Sequence, residues 1–182
     1  MAEIKLISIG ALIEQENGSP KYKFFIPSYQ RGYRWTKQLV YDLLNDINEF
    51  KEQHKDENAY YCIQPLVVKR NDDKWDVIDG QQRLSTIFLL LSYLQNEQDI
   101  KYSIEYETRK VSEEDKKGSK EFLETVRDAT EKDGSQNIDF YHIYNAYQAI
   151  VNWFNHFENN DLFRNEFKEI LTKNVNFIWY ET

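Results

Sequence analysis

The run Trp75-Asp76-Val77-Ile78 reads as a short strand, and Leu84-Ser85-Thr86-Ile87-Phe88-Leu89-Leu90-Leu91 opens a long apolar helix; between them lies Asp79-Gly80-Gln81-Gln82-Arg83. This junction constrains the chain more than any other segment. A glycine at a strand-to-helix turn lets the backbone approach a ligand closely. The first N–H groups of the helix lack internal partners and carry partial positive charge, so such an end binds phosphate readily. Here the end comes with one guanidinium (Arg83), two neutral amides (Gln81, Gln82) and one carboxylate (Asp79). That set suits a nucleotide with its metal or attacking water. It equally suits a capped helix with polar residues at an exposed end, and short motifs alone do not choose between the two.

The charge is distributed unevenly. The net value is −8, which argues against a general nucleic-acid coat protein. Residues 1–96 hold 12 basic and 13 acidic side chains, and residues 97–182 hold 11 and 18. Between Glu16 and Asp42 there is no acid, while Lys21, Lys23, Arg31, Arg34 and Lys37 fall in that window. One local basic surface inside an acidic whole fits a focused anionic ligand better than a long phosphate track. With 41% apolar and 30% charged residues the chain is globular, and its longest apolar run is far short of the roughly 20 residues a membrane span needs. A single cysteine, Cys62, fits a reducing, cytoplasmic setting and reads as a small buried residue.

Periodicity places the remaining elements. Ile4 to Ile13 leads in as a strand or helix, and Tyr22 to Ile26 is a strand. Thr36 caps a helix over about 36–54, with Leu39, Val40, Leu43, Leu44 and Ile47 at helical spacing. Ile63 to Arg70 is a strand whose Pro65 suggests an edge or a strand start. Asn71 to Lys74 turns back into the strand ending at Asp79, and the next helix runs to about Gln95. Ile100 to Thr108 alternates as a strand, and Ser112 with Asp115 resembles a capping box opening a charged helix to about Thr130. Asp133-Gly134-Ser135 reads as a loop. Phe140 to Phe157 is a helix with an aromatic core stripe, Asp161 to Leu171 another helix, and Val175 to Tyr180 a final strand. The expected class is α+β: a mixed part over 1–98, then a mostly helical part over 99–182, the whole expected to be the front of a longer protein.

A second segment is dense in recognition chemistry. Ile26-Pro27-Ser28-Tyr29-Gln30-Arg31-Gly32-Tyr33-Arg34-Trp35 holds two arginines, three aromatics and a glutamine. Arginine forks suit phosphate and aromatics supply flat, rigid contact area. The plainer reading packs Tyr29, Tyr33 and Trp35 beneath the following helix. Trp35 suits that packing; Gln30 and Arg31 suit a ligand.

Together, Ile-Pro-x-Tyr-Gln-Arg-x-Tyr-x-Trp, then Gln64-Pro65-Leu66-Val67-Val68, then Val77 to Thr86 resemble the GmrSD-type restriction family, in particular the amino-terminal domain of its S subunit. The likeness covers about residues 6–96. It implies a ParB/sulfiredoxin-like fold, a small mixed sheet with flanking helices. It implies Gly80 and Arg83 against nucleotide phosphates, Asp79 on a metal (Mg²⁺) or water, and Gln81 and Gln82 orienting phosphates or the attacking water. Gln30 and Arg31 would enter the same pocket from the opposite side. The implied activity is nucleoside-triphosphate hydrolysis coupled to restriction of foreign or modified DNA, with catalytic roles for Asp79, Gln82 and Arg83. The alternative is a non-enzymatic module reading modified DNA through Tyr29, Tyr33, Arg34 and Trp35. Glycine at position 32 stands where the family pattern commonly has proline, and is expected to loosen the loop. His54, His142 and His156 form no nuclease core, so DNA cleavage would belong to a separate nuclease domain.

Overall fold

The computed structural model describes residues 2–96, 99, 101–107 and 118–182. In chain order the elements are β1 (Glu3–Ser8), α1 (Ile9–Leu12), β2 (Gln15–Glu16), β3 (Ser19–Pro20), β4 (Lys23–Ile26), α2 (Lys37–Gln53), β5 (Tyr61–Asn71), β6 (Lys74–Asp79), α3 (Gln81–Leu94), β7 (Ser103–Tyr106), α4 (Ser119–Glu124), α5 (Glu131–Gly134), α6 (Ile138–Asn155), α7 (Asn160–Asn174) and β8 (Val175–Glu181). The fold is α+β. A six-stranded mixed sheet runs β1-β8-β5-β6-β4-β7, and β2 and β3 form a separate small hairpin. Strands from both sides of the boundary expected near residue 98 share the large sheet.

Local sequence explains most elements. Thr36 accepts a hydrogen bond from the Leu39 N–H and starts α2, whose Val40, Leu43, Leu44, Ile47 and Phe50 are buried at helical spacing. Asn137 does the same for α6 through the Phe140 N–H at 2.8 Å. Phe140, Ile143, Tyr147, Ile150 and Phe154 then line the buried side of α6. Trp153, Phe154, Phe163 and Phe167 meet edge to face between α6 and α7. Helix α3 is buried on nearly every side from Leu84 to Leu94, which makes it the central helix of the core.

Three expectations change. Pro65 is not on an edge: β5 lies between β8 and β6, and Pro65 is tolerated there because the register with β8 shifts between Ile63 and Pro65. A bulge is where an interior strand accommodates a proline. The expected loop at Asp133-Gly134 is instead the short helix α5, because Thr130 and Asp133 form a reciprocal capping box. The capping box expected at Ser112 and Asp115 lies outside the described residues; from Ser119 the chain forms α4 and a single 3₁₀ turn (Val126–Asp128) rather than one helix to Thr130.

Candidate functional site

Strands β6, β4 and β7 are neighbours and mutually parallel, so their carboxyl ends share one edge of the sheet. Such an edge is where ligands bind in open sheets with parallel strands. Pro27 to Gln30 leaves β4 there, Asp79-Gly80 leaves β6, and Glu107 leaves β7. The Ser28 N–H donates to the Glu107 carboxylate at 2.7 Å, and the Gln30 side-chain amide donates to the Ile78 carbonyl at 2.8 Å. The loop after β4 is thereby fastened to both neighbouring strands.

Gly80 turns the chain into α3 with φ 97°, in the left-handed region. A Cβ there would lie 3.0 Å from the Pro65 carbonyl oxygen and 3.1 Å from Leu66 Cδ1. Conformation and space both call for glycine. The Gln64-Pro65-Leu66 segment therefore backs the turn. No side-chain oxygen caps α3 and its first turn holds no acid, so its positive end is neutralised by neither means.

Gln82 joins the two motifs. Its carboxamide oxygen accepts from the Arg34 N–H and its nitrogen donates to the Gly32 carbonyl, both at 2.9 Å. The Thr86 hydroxyl donates to the Gln82 carbonyl at 2.8 Å, so it receives the buried Tyr33 hydroxyl at 2.9 Å. Tyr33 is 1% exposed, and burial pushes its phenol pKa well up. The Arg34 guanidinium bonds the Tyr33 carbonyl at 2.7 Å and pairs with Asp139 at the start of α6. A Cβ at Gly32 would collide with the Asp139 carboxylate. Glycine here admits α6 against the loop and fastens the loop through Arg34 and Asp139.

The remaining candidates stay available. Asp79, Arg31 and Tyr29 are exposed, Tyr29 by 72%. Gln81 is only 8% exposed, yet its amide has no hydrogen-bond partner among the described residues. The Arg83 guanidinium lies 5.9 Å from the centre of the half-buried Trp35 ring and has no ion pair among the described residues. It also acts on Tyr61: burial and the Asp46 carboxylate push that hydroxyl's pKa up, and Arg83 pulls the other way. Asp46, Tyr61, Glu107 and Asp139 carry no motif of their own and reach the site only through folding. Tyr61 alone had a local sign, standing three residues before Gln64.

A cavity of about 340 Å³ lined by Phe25, Glu105, Tyr106, Glu107, Ser119 and Lys120 borders the loop on the β7 side. A larger one, about 650 Å³, lies between the end of α2 and α7, but its Lys51 and Lys173 already pair with Glu52, Glu166 and Glu169. The uncapped turn suits an anion better than this larger hollow, because unneutralised positive charge recruits an anion and volume does not. Asp76 is held by the Asn71 amide and lies on the opposite face of β6 from Asp79. Among the described residues no three His, Cys, Asp or Glu side chains converge as a metal site, and no helix is long and apolar enough to cross a membrane.

The family model of the GmrSD restriction endonuclease N-terminal domain matches residues 9–182, almost the whole chain. Among curated proteins, none matches it.

Proposed function

Because the chain belongs to the GmrSD restriction endonuclease N-terminal domain family, and so to a restriction and anti-phage defence system, we propose that it binds and hydrolyses nucleoside triphosphates at the Asp79–Arg83 turn. The observation that carries this reading is the uncapped start of α3 at Gly80 beside an Arg83 guanidinium that has no ion pair among the described residues. Backbone N–H groups and Arg83 would hold phosphate oxygens, with Arg31 facing them from the loop after β4, which Gln30 fastens to the Ile78 carbonyl. Phosphoryl transfer asks for positioning and charge neutralisation rather than covalent help, which this set can supply. The Gln81 amide, without a hydrogen-bond partner among the described residues, would orient a phosphate or the attacking water. Gln82 would act by holding the loop against α3. The exposed Asp79 carboxylate fits Mg²⁺, which takes one or two carboxylates and completes its shell with phosphate and water oxygens. When bound, the ion supplies further neutralisation of phosphate charge. In this reading the domain is a cytoplasmic, ParB/sulfiredoxin-like regulator, and it governs a nuclease domain that acts on foreign or modified DNA.

A DNA-reading role has narrower support. Tyr29 and Arg31 are exposed on the same loop and offer stacking and phosphate contact. Tyr33 and Arg34 are engaged internally, so Tyr29, Arg31 and the accessible part of Trp35 would carry it.

Calorimetric titration of the wild type and Arg83→Ala with each nucleoside triphosphate and Mg²⁺ tests the main reading. The wild type should bind saturably and the variant at least about tenfold more weakly, the loss of one charge-assisted contact. Melting should change little, since Arg83 contributes a 5.9 Å contact with the Trp35 ring and a weak electrostatic effect on Tyr61. A folded wild type that binds no nucleotide would leave the DNA-reading role standing alone.

A further inference from the structure

Among the described residues, strand β1 is an outer edge of the sheet, paired only with β8. Its sequence, Glu3-Ile4-Lys5-Leu6-Ile7-Ser8, contains no proline, and its register with β8 runs unbroken from Glu3 to Ser8. Proline and bulges are among the devices that keep an edge from pairing with another chain, and both are missing. Glu3 to Leu6 are all exposed, Ile4 by 67% and Leu6 by 48%. Ile4 stands opposite Tyr180, and Leu6 opposite Ile178; these in turn neighbour Val67 and Pro65. An apolar stripe therefore crosses three strands on one face and ends at an open edge. Glu3 and Lys5 project to the other face, where they form an ion pair at 3.4 Å.

This edge is complementary to itself. Two copies of β1 related by a two-fold axis perpendicular to the sheet pair antiparallel, and residues facing each other must lie on the same face. An axis at Glu3 or at Lys5 sets like charges together. An axis at Ile4 sets Ile4 against its copy, and Glu3 against Lys5 twice. The four charges then alternate in sign, while the two apolar stripes merge on the opposite face. Directly opposed unlike charges stabilise an antiparallel pair and like charges weaken it.

We infer that β1 is a homodimerisation edge, joining two copies into one twelve-stranded sheet through antiparallel β1–β1 pairing centred on Ile4. With the axis on Ile4 only Glu3, Ile4 and Lys5 of each strand lie opposite the partner strand, a small interface, so association depends on concentration. The inference is independent of nucleotide binding, because β8 and β5 separate β1 from β6, the strand that leads into the turn.

Sedimentation of the full chain over a range of concentrations tests it, with Glu3→Lys, Lys5→Glu and the double reversal. The wild type should pass from monomer to dimer. Each single reversal replaces two attractions by two repulsions and should weaken dimerisation about tenfold or more. The double reversal restores the alternation and should dimerise like the wild type. An equimolar mixture of the two single variants should also associate, because the paired lysines of one variant then face the paired glutamates of the other. Both positions are exposed, so unchanged melting will certify the fold. A wild type that stays monomeric at every concentration overturns the inference. So does a dimer indifferent to the reversals, or a mixture of single variants that fails to associate.

Discussion

The turn at Asp79–Arg83 and the loop at Pro27–Thr36 are equally rich in polar and aromatic side chains, yet the fold uses them in opposite ways. In the turn the backbone is the fixed part: Gly80 takes a conformation and a space that only glycine suits, and Asp79, Gln81 and Arg83 keep their functional groups available. In the loop the side chains are the fixing parts. Gln30 holds Ile78, Tyr33 holds Thr86, and Arg34 holds Asp139. Only Tyr29 and Arg31 face outward without a partner among the described residues. The density of recognition chemistry in a motif is thus a poor count of the residues that recognise anything, since some build the platform on which others are presented.

The comparison breaks first at Gly80. In Gly80→Ala the methyl would meet Pro65 and Leu66 in a left-handed backbone, costing about 2–3 kcal/mol. Thermal denaturation should show the loss directly, and titration should show weakened nucleotide binding because the start of α3 is displaced. A variant as stable as the wild type would mean that the turn relaxes freely and is no rigid platform. Gln82→Leu comes next. It removes both bonds to the loop, leaving the Arg34 N–H and the Gly32 carbonyl without their partner, at a cost of about 2 kcal/mol. Chemical denaturation would measure it. If stability were unchanged while turnover vanished, Gln82 would belong with the presenting residues rather than the fixing ones.

The difference between the regions also explains what was legible in the sequence. Gly80 could be read because its constraint is local: a strand stops, a helix starts, and a glycine stands between. The buried stripes of α2 and α6 were equally plain in the spacing of Leu43, Ile47, Ile143 and Ile150. Pro65 misled because its interior place depends on β8, which arrives more than a hundred residues later as a parallel neighbour. Tyr33 and Arg34 looked like ligand contacts because Thr86 and Asp139, which occupy them, are distant in sequence. Local sequence shows which chemistry is present; tertiary pairing determines which of it remains available.

The smallest effect lies at the far end of the loop's attachment. His142 sits one turn along α6 from Asp139. Burial, then the Arg34 guanidinium, hold its pKa below the ordinary histidine value, while Asp139 opposes them. A base whose pKa is lowered on folding binds its proton more readily when unfolded. Its contribution to stability is therefore complete above the unfolded value of about 6.5 and declines as pH falls through the folded one. Melting temperatures between pH 7.5 and 5 should decline for the wild type and decline less steeply for His142→Gln. The difference will be slight, because the ring is largely solvated. If it grows in Asp139→Asn, where only the opposing charge has been removed, Arg34 still faces His142 and the loop stays attached to α6. If it shrinks there instead, only the burial effect remains, Arg34 has left with its partner, and Asp139 is what keeps the loop among the fixed parts of the molecule.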